Sequence, residues 1–126
     1  LNSFFSLDFG PEKAYAMLFG VCFSSSFENY NYTICPFFKG TQITTHGTFN
    51  LGFWNHWSSD EPQYSKMVYD NGDECYGKLK RSFEISLSCY SENYVKSIEE
   101  KKSCHYVIQL LTPAACVSHE IPDIHE

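Results

Sequence analysis

Apolar and polar residues alternate along most of this chain with a period of two. Phe83, Ile85, Leu87 and Cys89 are apolar while Glu84, Ser86 and Ser88 between them are polar, which predicts a strand with one buried face. The segment Cys104 to Leu111 repeats the arrangement, with Tyr106, Ile108 and Leu110 in step. Tyr30, Tyr32 and Ile34 alternate with Asn31 and Thr33 up to Cys35, and Phe49, Leu51 and Phe53 alternate again before Trp54 and Trp57. Met67 and Tyr69 rise into a further short strand, closed by a turn over Asp70-Asn71-Gly72-Asp73. Near the start, residues 4–9 (FFSLDF) and 14–23, with Tyr15, Met17, Phe19 and Val21 in step, also read as strands, separated by Gly10-Pro11. Ser24 to Asn29 has turn chemistry, so Cys22 and Cys35 flank a hairpin and a bridge closing it is the natural pairing. Gly52 marks a bulge or a close approach of another backbone, and Ser58 to Gln63 reads as a loop. A helical turn or two is plausible only in Ser91 to Lys101. Many short strands at regular intervals predict an all-β fold, a flattened barrel or sandwich of two antiparallel sheets. Residues 1–126 read as one domain, with a loose tail over 117–126.

Six cysteines in 126 residues, without close C-x-x-C pairs, point to a disulfide-stapled domain of a secretory compartment. A net charge of −6 argues against nucleic acid, because binding phosphates needs a basic surface. Lys78, Lys80 and Arg81 form the one basic cluster, and Arg81 is the only arginine. No apolar run approaches the roughly 20 residues of a membrane span. The first residues lack the pattern of a signal peptide, so the chain reads as an excised domain or a mature fragment of a secretory protein, and the last residues show no retention tetrapeptide. Asn31-Tyr32-Thr33 is an acceptor sequence for N-glycosylation, meaningful if the hairpin tip is exposed in that compartment.

Arg81 shares the parity of Phe83 and Ile85, which aims its guanidinium toward the core side at the strand's end. Tyr106 belongs to a second inward row, and two polar groups at the mouth of an apolar interior suggest a small-ligand pocket. Carbohydrate is the first ligand class to consider. Adjacent sugar hydroxyls are each donor and acceptor, so a site needs planar bidentate donors, a carboxylate and an amide. Arg81, Glu100 and Gln42 have those types, and Tyr106 adds a hydroxyl with a flat apolar face. Trp54 and Trp57 could pack on sugar C–H faces, although core packing is the commoner use of large aromatics in a small β interior.

A glycosidase would need two carboxyl groups facing one another across a cleft. The pairs Asp60-Glu61, Asp73-Glu74 and Glu99-Glu100 are sequence neighbours, which an extended chain points to opposite sides. His46, His56, His105, His119 and His125 accompany no nucleophile elbow and show no paired metal-ligand spacing. Neither catalysis within the domain, nor a metal, nor a cofactor is expected. A protein-interaction module without sugar binding is the third reading, separated from the first by whether binding survives loss of Arg81.

The order of these residues resembles a known family. Cys22, the Y-x-Y-x-x-C-P-F run at Tyr30 to Phe37, Gln42, L-G-x-W-x-x-W at Leu51 to Trp57, the turn Asn71 to Cys75, Arg81, Glu100, Cys104 and Tyr106 are similar to the mannose 6-phosphate receptor homology (MRH) domain. The resemblance covers residues 8–116, and the end motifs FSLDFGP and LLTPAAC look most like β subunits of glucosidase II. It implies a flattened β-barrel with bridges Cys22–Cys35, Cys75–Cys104 and Cys89–Cys116. It further implies that Gln42, Arg81, Glu100 and Tyr106 contact mannose, with Gln42 and Arg81 on the 2-hydroxyl, and that either Trp54 or Trp57 lines the pocket. The implied partners are high-mannose N-glycans and, through regions outside this chain, the catalytic α subunit of glucosidase II in the endoplasmic reticulum lumen. A lectin of misfolded-glycoprotein disposal is the alternative within the family. Receptors for phosphorylated mannose carry a phosphate loop just before the third cysteine. Here that place holds Asn71-Gly72-Asp73-Glu74, whose two carboxylates would repel a phosphate monoester, so unphosphorylated mannose is expected.

Overall fold

The computed structural model describes residues 7–116. Among the described residues there are eight strands: β1 (Phe23–Phe27), β2 (Tyr30–Cys35), β3 (Lys39–Thr44), β4 (Gly47–Trp57), β5 (Lys66–Asn71), β6 (Ser82–Cys89), β7 (Tyr94–Lys102) and β8 (His105–Thr112). They form one continuous sheet in the order β1-β2-β3-β4-β5-β6-β8-β7. All neighbours are antiparallel except β6 and β8, which run parallel. The sheet curls until β1 approaches β7, giving a nearly closed, flattened barrel whose two faces belong to a single sheet.

Alternation explains the interior. Phe83, Ile85 and Leu87 of β6, Tyr106, Ile108 and Leu110 of β8, and Met67 and Tyr69 of β5 are buried while the residues between them face out. Tyr69 stacks on Phe83 at 4.2 Å between ring centroids, and its hydroxyl accepts a hydrogen bond from the Phe37 amide at 3.0 Å. Three disulfides join Cys22 to Cys35, Cys75 to Cys104 and Cys89 to Cys116.

Several local expectations fail, each for a visible reason. Pro11–Leu18 is a 3₁₀ segment rather than part of a strand. Tyr15 and Leu18, three residues apart, are its buried pair, whereas Met17 and Phe19, which belonged to the supposed inward row, are exposed. Leu7 to Phe9 is irregular, and residues 4–6 and the tail over 117–126 lie outside the described residues. Ser24 to Ser26 belong to β1, so the first hairpin turns only on Glu28 and Asn29, both with positive φ as a type I′ turn requires. Most of Ser91 to Lys101 belongs to β7 rather than to helical turns. Its buried residues Val95 and Ile98 are three apart because the register slips between Val95 and Ser97, and the bulge imitates helical spacing. A second bulge at Leu51 lets both Leu51 and Gly52 turn from solvent, and a Cβ on Gly52 would meet the Asp70 amide nitrogen at 3.1 Å. Asp70 to Asp73 is not the tip of a turn. The chain continues past it, pairs Glu74 with Lys80, and reverses over Tyr76 to Leu79, where Gly77 supplies a left-handed φ of 58°.

Cys75–Cys104 fastens this reversing loop to the turn between β7 and β8. Its two cysteines are 29 residues apart, so replacing both with alanine should cost roughly 3.5 kcal/mol by loop-closure entropy. Denaturant melts of the variant against the oxidised parent measure this, and an unchanged midpoint would contradict it.

Candidate functional site

Two rows of side chains meet inside one end of the barrel. In the first, register sets Tyr32 of β2 opposite Gln42 of β3 and Gln42 opposite Phe49 of β4. In the second, Phe83 of β6 lies beside Tyr106 of β8, and Tyr106 beside Glu100 of β7. Arg81, two residues before Phe83, bridges the rows, since its guanidinium carbon stands 4.5 Å from the centre of the Phe49 ring.

Each polar group is held by its surroundings. Gln42, only 6% exposed, donates from Nε2 to the Tyr32 hydroxyl at 3.1 Å. One terminal nitrogen of Arg81 donates to the Glu74 carbonyl at 2.6 Å, while the Arg81 and Asp73 backbones pair across the loop. Arg81 Nε is buried and has no hydrogen-bond partner among the described residues. Glu100 accepts from the Cys104 amide through Oε2 at 2.7 Å, which anchors one carboxylate oxygen and leaves the group exposed. Cys104, bonded to Cys75, thus connects the turn that fixes Glu100 to the loop that precedes Arg81.

Electrostatics tie the rows together at Tyr106. Burial raises its phenol above the usual value, the Glu100 carboxylate raises it further, and the polar groups of Arg81 and Gln42 pull the other way. Burial likewise raises Tyr32, against the opposing pull of Gln42. Both hydroxyls therefore stay protonated at neutral pH and can donate as well as accept. Tyr15 and Tyr69 are raised by burial too. In the unfolded chain all four titrate near the ordinary phenol value of about 10, so ionisation there favours unfolding, and the stability these four groups contribute is complete below that pH and falls above it. Thermal melts from about pH 8 to about pH 11 test the sign, and a rising midpoint over that range would contradict it.

Gln42, Arg81, Glu100 and Tyr106 thus form one polar cluster, a guanidinium, an amide, a carboxylate and a phenol converging on one space. Trp54 and Trp57 belong elsewhere. Trp54 packs edge-on against Phe37 and Tyr69, and Trp57 packs against Tyr15 and Tyr64 while its indole N–H donates to the Asp8 carbonyl at 2.7 Å. Neither tryptophan touches the four polar residues among the described contacts. Tyr32 and Phe49 are the members that sequence reasoning did not assign to the site. Their inward parity was visible, but the cross-strand register that puts them against Gln42 and Arg81 was not.

The acidic pairs are occupied separately. Asp60 faces Lys66 at 3.6 Å, Glu99 faces Lys101 at 2.7 Å, and Asp73 accepts from the Asn50 amide at 2.8 Å. No group of three His, Cys, Asp or Glu among the described residues could hold a metal ion, and no described helix is long and apolar enough to cross a membrane. A cleft of about 630 Å³ opens elsewhere, between Tyr15, Tyr64, Leu87 and Ala114. Glu12 is the one charged side chain on its described walls.

A curled, disulfide-stapled barrel of this kind is the fold of an MRH domain. A solved structure described as the MRH domain of glucosidase II β bound to mannose matches with a TM-score of 0.66 and 26% identity, over 82% of this chain and all of that one. The model of the family described as glucosidase II beta subunit-like protein matches residues 2–124, and the chain belongs to that family. Glucosidase 2 subunit beta of rice (Oryza sativa subsp. indica) is 34% identical over 94% of this chain, and the human one 36% over 88%. These alignments cover 19% and 22% of the relatives, so the chain spans about a fifth of their length.

Proposed function

We propose that this domain is a mannose-binding lectin module of a non-catalytic glucosidase II β subunit, and that it takes unphosphorylated mannose at the non-reducing end of high-mannose N-glycans. The observation that carries this reading is the convergence of Arg81, Gln42, Glu100 and Tyr106. The guanidinium offers charge-assisted donors to a ligand hydroxyl from its terminal nitrogens. Arg81 and Gln42 would meet the 2-hydroxyl, the group whose orientation separates mannose from glucose, while Glu100 and Tyr106 take neighbouring hydroxyls. The carboxylates of Asp73 and Glu74 on the loop leading to Arg81 disfavour a phosphate.

In the endoplasmic reticulum lumen, weak capture of one glycan arm would raise the effective concentration of another arm at the active site of the catalytic α subunit, bound through other parts of the β subunit. Calorimetric or NMR titration with mannose, mannose 6-phosphate and glucose tests the sugar reading. Binding of mannose alone is expected. Mannose 6-phosphate binding more tightly than mannose would refute the loop argument, and no sugar binding by a folded, oxidised domain would refute the lectin.

A further inference from the structure

We propose that Asn31 carries an N-linked glycan, set on the outer wall of the barrel directly behind the sugar cluster. Asn31-Tyr32-Thr33 is the only N-x-S/T triplet in the sequence. It lies within β2, where alternation turns Tyr32 and Ile34 inward and leaves Asn31 outward with Thr33 on the same face. Tyr32 is the residue that holds Gln42, so one triplet presents the cluster on one side and the acceptor amide on the other.

The outer surroundings suit an attached sugar. Ser26 of β1, opposite Asn31, donates from its hydroxyl to Oδ1 of Asn31, which orients the side-chain amide of this exposed residue. On the other side Asn31 lies opposite Ile43 of β3, an aliphatic side chain 42% exposed on this outer face. A first N-acetylglucosamine on Asn31 would cover that apolar surface without entering the barrel. The disulfides require the oxidising route in which such transfer happens. In the transfer, the amide nitrogen of Asn31 forms a bond to C1 of the terminal N-acetylglucosamine of a polyprenyl-diphosphate-linked oligosaccharide. The C1–O bond breaks, its electron pair leaves with the diphosphate, and the amide nitrogen gives up one proton.

The protein expressed through the secretory route of a eukaryotic host should migrate as a heavier band that amidase treatment collapses. The treatment should convert Asn31 to aspartate in the peptide map, and Asn31→Gln or Thr33→Ala should remove the shift while Thr33→Ser keeps it. Because the tryptic map reads the parent protein directly, poor folding of a variant leaves the test intact. An unmodified Asn31 in most of the secreted, oxidised parent would overturn the proposal. The assignment is independent of the mannose reading, since it survives a domain that binds no sugar.

Discussion

Arg81→Ala is expected to remove mannose binding. A guanidinium on a sugar hydroxyl makes charge-assisted hydrogen bonds of about 1.5–3 kcal/mol each, so losing two weakens affinity by roughly two orders of magnitude or more. Arg81→Lys should fail almost as badly. A point charge on a flexible stem cannot hold the Glu74 carbonyl, lie over Phe49 and still present a planar pair of donors to the ligand. The fold should survive both changes, because the Arg81 backbone keeps its pairing with Asp73 and Gly72. Titration with mannose after a spectroscopic check of folding measures the effect. If Arg81→Ala bound mannose within about threefold of the parent, the cluster would not be the binding site and a protein-interaction module would become the better reading.

The largest effect on stability is expected at Tyr69. The side chain is fully buried, stacks on Phe83, packs against Trp54 and satisfies the Phe37 amide. Truncating a buried aromatic to alanine costs about 3–5 kcal/mol, and orphaning the Phe37 N–H adds about 1–3 kcal/mol. Against the 5–15 kcal/mol typical of a domain, Tyr69→Ala should leave little margin. Tyr69→Phe isolates the hydroxyl and should cost only about 1–3 kcal/mol. Chemical denaturation of both variants gives the two numbers, and a loss below about 2 kcal/mol for Tyr69→Ala would show that the site relaxes around the cavity.

The residues of the candidate site were legible in the sequence for two separate reasons. Parity alone placed Arg81, Tyr106 and the buried rows Phe83-Ile85-Leu87 and Ile108-Leu110 on the inner face, because in a strand neighbouring side chains alternate regardless of what lies across from them. The family pattern then singled out Gln42 and Glu100, which parity does not distinguish from any other polar strand residue. Glu100 shares the parity of Ile98, but the slip between Val95 and Ser97 means that counting in twos from Val95 puts it on the wrong face. Where local patterns misled, a tertiary constraint had overridden them. The bulge after Val95 gave a strand the spacing of a helix, and the inward row expected from Tyr15 to Val21 dissolved because Tyr15 and Leu18 pack as a 3₁₀ pair.

By itself the sequence determined the β class, the even set of cysteines, the net acidic charge and the chemical types available to a ligand, all properties carried by single residues or by neighbours along the chain. Only the tertiary structure decided which strands adjoin, that β6 and β8 run parallel, that Tyr32 and Phe49 support Gln42 and Arg81, and that both tryptophans belong to an aromatic cluster with Phe37, Tyr15, Tyr64 and Tyr69. The physical reason is register. A period of two says which face a side chain takes, but a slide of two residues preserves that face and changes every partner across the ladder, and only the packed barrel chooses among such slides.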